Sequence, residues 1–141
     1  MYVMRRWATR NARALEGVYD ACARVFHALD PLWAGIGLKR LERPMAAIER
    51  WGKGLVFDCR MCGRCVLSST GMTCPENCPK GLRNGPCGGV RANGTCEVKP
   101  AMRCVWVEAW SGAVRMRDHR AMLALQPPRN HAIAGTSAWL R

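Results

Sequence analysis

Hydrophobic and polar positions in the first part of the chain follow a helical rhythm. Over residues 1–29, apolar side chains recur at spacings of three and four, and arginines occupy much of the remaining surface. This pattern predicts one long amphipathic helix. The apolar positions are Trp7, Leu15, Val18, Tyr19, Cys22, Val25, Phe26 and Leu29.

Prolines mark the next predicted boundaries. Asp30-Pro31 favours a new helix start, and this second helical stretch is expected to run to about Arg43. Pro44 should then break or kink it, which leaves a further turn or two over residues 45–51. After Pro100, the apolar spacing over residues 105–114 predicts a last helix.

The middle of the chain, residues 52–100, has neither a helical nor a strand period. It contains four of the eight prolines and most of the glycines, so we interpret it as loops and turns wrapped around inorganic centres. Residues 129–141, beyond Pro127-Pro128, are expected to form a loose or partner-ordered tail.

Cysteine is the residue type that changes this picture. Eight of the nine cysteines lie within 46 residues, and no histidine lies among them. Four thiolates complete a tetrahedral zinc site or a cubane iron–sulfur cluster, so eight could serve two such sites. The eight candidate metal ligands are Cys59, Cys62, Cys65, Cys74, Cys78, Cys87, Cys96 and Cys104.

Few large apolar side chains accompany these cysteines, so the segment needs a metal staple in place of a core. We therefore predict a small, metal-stapled, loop-rich cysteine domain flanked by α-helices, with little or no β-sheet. Its three parts are expected at residues 1–54 (amphipathic helices that form a docking arm), 55–110 (the metal-cluster domain) and 111–141 (the end of the last helix and a basic tail).

The spacing of the cysteines favours iron–sulfur over zinc. Cys59, Cys62 and Cys65 form one CxxCxxC run, and the others stand singly, whereas two zinc sites would more usually show pairs of CxxC motifs. Two [4Fe-4S] clusters are the preferred cofactors and zinc is the alternative. Spacing leaves open which cysteines share a site. Cys22 stands apart, and we interpret it as core packing.

Charge and targeting signals bear on the partners. The formal net charge of +12 would suit nucleic acid, an anionic membrane or an acidic protein surface. Because the sequence lacks a long apolar run and a secretory pattern, we expect no membrane span and a cytoplasmic location with reduced thiols. The three histidines are dispersed outside the cysteine region, and no catalytic constellation is recognisable around them.

Five motifs surround the cysteines over about residues 55–110. They are Phe57-x-Cys59-x2-Cys62-Gly63-x-Cys65-x-Leu67, Gly71-Met72-Thr73-Cys74-Pro75-x2-Cys78-Pro79-Lys80, Arg83-Asn84-Gly85-Pro86-Cys87-Gly88-Gly89, Gly94-x-Cys96-Glu97 and Cys104-Val105-Trp106. Together these motifs resemble the C-terminal family of methylenetetrahydrofolate reductase, a small cysteine-rich module.

This resemblance implies that all eight cysteines are metal ligands. It also implies that the module passes electrons toward the flavin of a separate barrel subunit. The barrel is absent from this chain, so we expect no catalysis by the chain alone. An external redox carrier would be the other partner.

Neighbouring residues are expected to tune the clusters of such a subunit. The backbone N–H groups of Gly63, Gly85, Gly88 and Gly89 would bond to sulfur, and nearby arginines would add positive charge. Those arginines are Arg60, Arg64 and Arg83.

The competing hypothesis is a structural zinc module that binds the reductase or nucleic acid. Its support is the basic charge together with six tryptophans. We consider nucleic acid the less favoured partner, because the tryptophans mostly follow helical core spacing instead of alternating with a basic stripe.

Overall fold

A computed structural model describes residues 2–140, and it places five α-helices around a cysteine-rich region of loops. The helices are α1 (Tyr2–Arg10), α2 (Ala12–Ala28), α3 (Asp30–Ile36), α4 (Leu38–Phe57) and α5 (Val105–Ala113). Short 3-10 turns lie at Leu67–Ser69, Pro75–Asn77, His119–Leu123 and His131–Ile133. Within residues 2–140 the β-type pairings are two isolated antiparallel bridges, Val90–Cys96 and Thr95–Arg103. The predicted fold class, a loop-rich cysteine domain flanked by α-helices with little or no β-sheet, is confirmed for these residues, and the metal staple stays a prediction.

The single helix predicted over residues 1–29 is wrong, because the chain interrupts it at Asn11. The backbone N–H of Asn11 and its side-chain amide both donate to the Trp7 carbonyl, at 3.0 and 2.9 Å. A side chain that takes a backbone acceptor in this way competes with the regular helical ladder. Two helices therefore replace one, and α1 packs against α4 and α5 while α2 contacts α1, α3 and α5.

Pro44 does not end a helix, so the predicted break there is wrong, whereas a kink stays a prediction. The break lies earlier, at Gly37, whose φ of 94° is a left-handed conformation suited to glycine. Helix α4 then continues through Pro44 as far as Phe57, so residues 52–57 are also helical and not loop. An internal proline costs about 3 kcal/mol, and the packing of α4 against α1 and α3 offsets that cost.

The other two predicted helix boundaries agree with the structure. Helix α3 begins at Asp30, with Pro31 in its first turn, and α5 begins at Val105 directly after Cys104. Among residues 2–140, no helix combines the length and the apolar character needed to cross a membrane.

The tail is packed, so the expectation of a loose segment is wrong. Arg129 Nη1 pairs with the Glu76 Oε2 at 3.0 Å, and the Gly135 N–H donates to the Met61 carbonyl at 2.7 Å. Further on, Ser137 is fully buried against α4. Proline pairs exclude regular secondary structure, but they do not prevent tertiary contacts.

Candidate metal centres

The first four cysteines line one cavity. They are Cys59, Cys62, Cys65 and Cys74. The C-terminal end of α4 sets the direction of the loop that carries these cysteines. Asp58 adopts a left-handed conformation (φ 53°), and the Cys59 N–H donates to the Lys53 carbonyl at 3.3 Å. On the opposite side, Cys65 and Cys74 pack in an apolar cluster that includes Ala12, Leu15 and Tyr19 of α2.

The backbone of this segment turns sharply at several points. Four residues between Cys59 and Cys74 have positive φ: Met61 (47°), Gly63 (77°), Gly71 (60°) and Met72 (55°). Left-handed conformations are unusual for methionine and persist only where surrounding contacts enforce them. A chain bent in this way can wrap around a compact group and aim its N–H groups inward.

Sulfur in the first group already has polar partners. The N–H of Met61 donates to the Cys59 sulfur at 3.4 Å, and the N–H groups of Arg60 and Glu76 bond to the Cys74 sulfur. The thiol of Cys74 also bonds to Cys59. That bond, helped by the Met61 N–H and the Lys53 charge, lowers the pKa of Cys59 to about 7 despite its burial. The same bond, with burial, raises the pKa of Cys74 well above its ordinary value.

A buried ion pair lies beside the first group. Glu49 and Lys53 are one helical turn apart on α4, and their charged ends are 2.5 Å apart. Both side chains are at least 95% buried, and Glu49 lines the cysteine cavity. Tyr19 joins this environment, because its ring lies 5.7 Å from the Lys53 ammonium and its hydroxyl bonds to Cys65. Burial, with Cys65 and Glu49 nearby, raises the pKa of Tyr19.

The last four cysteines lie in a separate region next to α5. Cys78 packs against one apolar cluster that contains Cys96 and against another that contains Cys104. Turns hold these positions, since the Cys96 N–H donates to the Met102 carbonyl and the Cys104 N–H donates to the Gly94 carbonyl, both at 2.9 Å. These contacts bring three thiols together.

The fourth of these thiols, Cys87, lies at the edge of the region. The exposed Lys80 ammonium is paired with the Glu97 carboxylate and also neighbours the Cys87 thiol, and these contacts raise the Lys80 pKa, with Glu97 the main cause. Glu97 directly follows Cys96 in the chain. The Lys80–Glu97 pair therefore links Cys87 to the rest of the second group.

A shared cavity and packing contacts define the two groups of thiols, which do not form complete sets of metal ligands. Across residues 2–140, no three histidine, cysteine or acidic side chains converge closely enough to hold a metal ion as they stand. Two observations nevertheless fit bound groups at these places. One is the sharply turned loop of the first group. The other is the buried Nε1 of Trp106, which has no hydrogen-bond partner; Trp106 packs in the apolar cluster of Cys104, and a buried donor normally has an acceptor.

The four predicted glycines differ in their surroundings. A Cβ on Gly63 would lie 2.2 Å from the Ile133 carbonyl oxygen, one on Gly85 would meet the Trp106 ring at 2.5 Å, and one on Gly89 would meet the Glu97 carboxylate at 2.1 Å. Space around Gly88 is open. These three glycines thus permit close packing, and their N–H donation to sulfur stays a prediction.

The predicted arginines are also spread out. Arg60 donates to the Asn77 Oδ1 at 3.2 Å, and Arg64 lines the first cavity. Arg83 is buried and paired with Glu76. Cys22 is half-buried on α2 and does not line the first cavity. His27 is exposed and faces Asp30 at 3.4 Å.

Sequence reasoning missed Glu49, Lys53 and the residues after 132. In the sequence, Glu49 and Lys53 form an ordinary i,i+4 pair of a solvated helix face. The available signal was their spacing from an apolar residue. Glu49 and Lys53 follow Met45 at intervals of four, so all three lie on the same, buried face of α4.

Comparison with known proteins gives one result. No curated protein and no solved structure matches the chain. The family model described as methylene-tetrahydrofolate reductase C terminal matches residues 38–132, a wider range than the cysteine motifs alone. The chain therefore belongs to the methylene-tetrahydrofolate reductase C-terminal family.

Proposed function

We propose that this chain is an iron–sulfur electron-transfer accessory subunit of a methylenetetrahydrofolate reductase-type enzyme. The observation that supports the proposal is the division of the eight cysteines into two consecutive groups of four. Cys59, Cys62, Cys65 and Cys74 share a cavity, and three of the last four share a packed region with Cys87 at its edge. When bound, two [4Fe-4S] clusters would each accept and release one electron at a time.

The chain's own residues would hold and tune these groups. In the first group, the Met61 N–H bonds to a ligand sulfur, and the Lys53 ammonium lies close to Cys59, where its paired carboxylate Glu49 partly opposes its effect. Hydrogen bonds and positive charge stabilise the more negative, reduced form of a cluster. In the second group, the apolar neighbours of Cys96 and Cys104 exclude water, and the orphaned Trp106 Nε1 would be a donor available to a group bound beside it.

The proposed partner is a flavin-containing reductase barrel, and the family name supports it. A further support is that α4 exposes Ile48, Trp51 and Leu55 at helical spacing, with Trp51 73% exposed. Arg43 and Arg50 on the same helix are exposed as well. An apolar patch beside arginines suits an acidic protein surface with an apolar centre.

Metal analysis of anaerobically purified protein tests the proposed function. We expect a brown protein with about eight irons per chain. Cys62→Ser and Cys87→Ser should each lose about four irons, one cluster's worth, because they disable different groups. Cys22→Ser is the matched control and should keep all of them. A colourless protein with about two zinc ions would contradict electron transfer.

A structural zinc module is the second candidate, and one contact favours it. The thiols of Cys59 and Cys74 are close enough to hydrogen-bond, and sulfurs around one zinc ion lie about 4 Å apart. The metal analysis separates the two candidates. Co-purification of a flavoprotein, lost at high salt, would support the proposed partner under either metal.

A further inference from the structure

Residues 133–139 lie across the loop that carries the first three cysteines. The N–H of Gly135 donates to the Met61 carbonyl at 2.7 Å. The Ile133 carbonyl lies so close to Gly63 that a Cβ there would be 2.2 Å from its oxygen. Thr136 and Ala138 line the cavity together with the four thiols. This segment, here named the strap, therefore forms one wall of the first site.

Two carboxylates on α4 anchor the centre of the strap. Glu49 accepts hydrogen bonds from the Ser137 hydroxyl at 2.8 Å and from the Ala138 N–H at 2.9 Å. Glu42 accepts from the Ser137 N–H at 2.6 Å. Hydrogen bonds to charged acceptors are stronger than neutral ones, so the wall is fastened where it faces the cavity.

Trp139 fastens the far end of the strap. Its ring lies 4.6 Å from the Lys53 ammonium and 4.9 Å from the Phe26 ring. A cation over an aromatic ring is attracted more strongly when water is excluded, and Lys53 is almost fully buried. The strap thus shares the buried ion pair with the first cysteine group.

We propose that the strap is a closing wall of the first cysteine site and restricts access of chelators and oxidants to it. Its contacts described above reach α2, α4 and the loop of Cys59 to Cys65, none of which carries a cysteine of the second group. The family match ends at residue 132, so the strap is a feature of this chain beyond that match. The inference rests on the proposed metal-holding role, and it holds for a cluster or for zinc.

Chelator challenge of the metal-loaded chain tests the strap. Wild type and Trp139→Ala would be exposed to EDTA anaerobically, and the freed cysteines would be alkylated at intervals and assigned by peptide mapping. We expect the cysteines from 59 to 74 to be freed about tenfold faster in Trp139→Ala, because the strap opens locally more often. Release of the cysteines from 78 to 104 should be unchanged, which makes the second group an internal control.

Matched variants separate the strap from general destabilisation. Trp51→Ala removes an exposed tryptophan from α4 and should change neither group. Deletion of residues 134–141 should speed release from the first group further, with circular dichroism to verify that the helices persist. Equal rates of cysteine release in wild type and Trp139→Ala would overturn the proposal that the strap closes the first site. Equal acceleration of release from both groups would overturn it as well.

The metal found at the start of the same experiment tests the proposed function separately. A zinc-loaded protein would refute electron transfer. The difference in cysteine release between the two groups would still decide whether the strap closes the first site.

Discussion

The two cysteine groups are built in different ways. The first takes its walls from distant parts of the chain, namely α2, α4, the loop of Cys59 to Cys74 and the strap. The second takes its contacts from residues 78–109, with Met122 the addition from further along. A site assembled from remote segments depends on the whole fold, whereas a site made within one segment depends mainly on its own turns and on α5.

The ion pairs beside the two groups differ in their exposure to solvent. Beside the first group, the Glu49–Lys53 pair is almost completely buried. Beside the second group, the Lys80–Glu97 pair is open to solvent, with side-chain exposures of 36% and 46%. Removing one partner of a buried pair leaves an uncompensated charge, whereas an exposed partner is readily solvated by water. The same chemical pair should therefore matter at one group and hardly at all at the other.

Glu49→Leu is expected to have the largest effect. It leaves Lys53 buried without a counter-charge and removes two strap anchors, so we expect a loss of about 3–5 kcal/mol in the free energy of unfolding. Urea unfolding followed by circular dichroism measures it. Metal should be lost first from the first group.

Two control variants sharpen this result. Glu49→Leu combined with Lys53→Met removes both charges and should recover much of the lost stability. Lys80→Met breaks the exposed pair at the second group and should leave the unfolding midpoint unchanged. If Lys80→Met were as damaging as Glu49→Leu, the electrostatic contrast between the groups would be wrong.

Val105→Ala addresses the second group and should have a smaller effect. Val105 is 1% exposed and packs with Cys96 and Met102. Loss of two buried methyl groups, with the cavity left behind, costs about 2 kcal/mol. Thermal unfolding measures the cost, and peptide-mapped alkylation should show faster release from the second group alone. Val114→Ala, at an exposed position just past α5, is the matched control, and faster release from the first group would contradict the separation.

Local signals predicted much of this molecule. Cysteine spacing and turn residues indicated the loop-rich centre, Asp30-Pro31 indicated the start of α3, and the apolar spacing after Pro100 indicated α5. In each case the cause lies within a few neighbouring residues, such as a fixed φ at proline. The second cysteine group depends largely on such local turns.

Long-range causes were invisible in the sequence. Helix α4 continues through Pro44 and packs against α1 and α3. The strap reaches the first site through contacts between residues about 90 positions apart, such as Ser137 with Glu49. Neither a helical period nor a turn propensity encodes such pairings. The first group, which depends on them, was therefore the part of the site least predictable from the sequence.

The thiols of Cys59 and Cys74 differ in acidity within the first group. Its pKa of about 7, against an ordinary 9, arises from the bond with Cys74, the Met61 N–H and the Lys53 charge. A lowered pKa means that the thiolate forms at lower pH, and the thiolate is the form that reacts with alkylating agents.

In metal-free protein, we expect alkylation of Cys59 to rise with a midpoint near pH 7, while Cys74, whose pKa is raised by the same bond, reacts last. Rapid iodoacetamide labelling from pH 6 to 9 with peptide mapping measures both, and Lys53→Met should move the Cys59 midpoint upward. Eight cysteines reacting together at an ordinary thiol pKa would show that the first group has no preformed thiolate site.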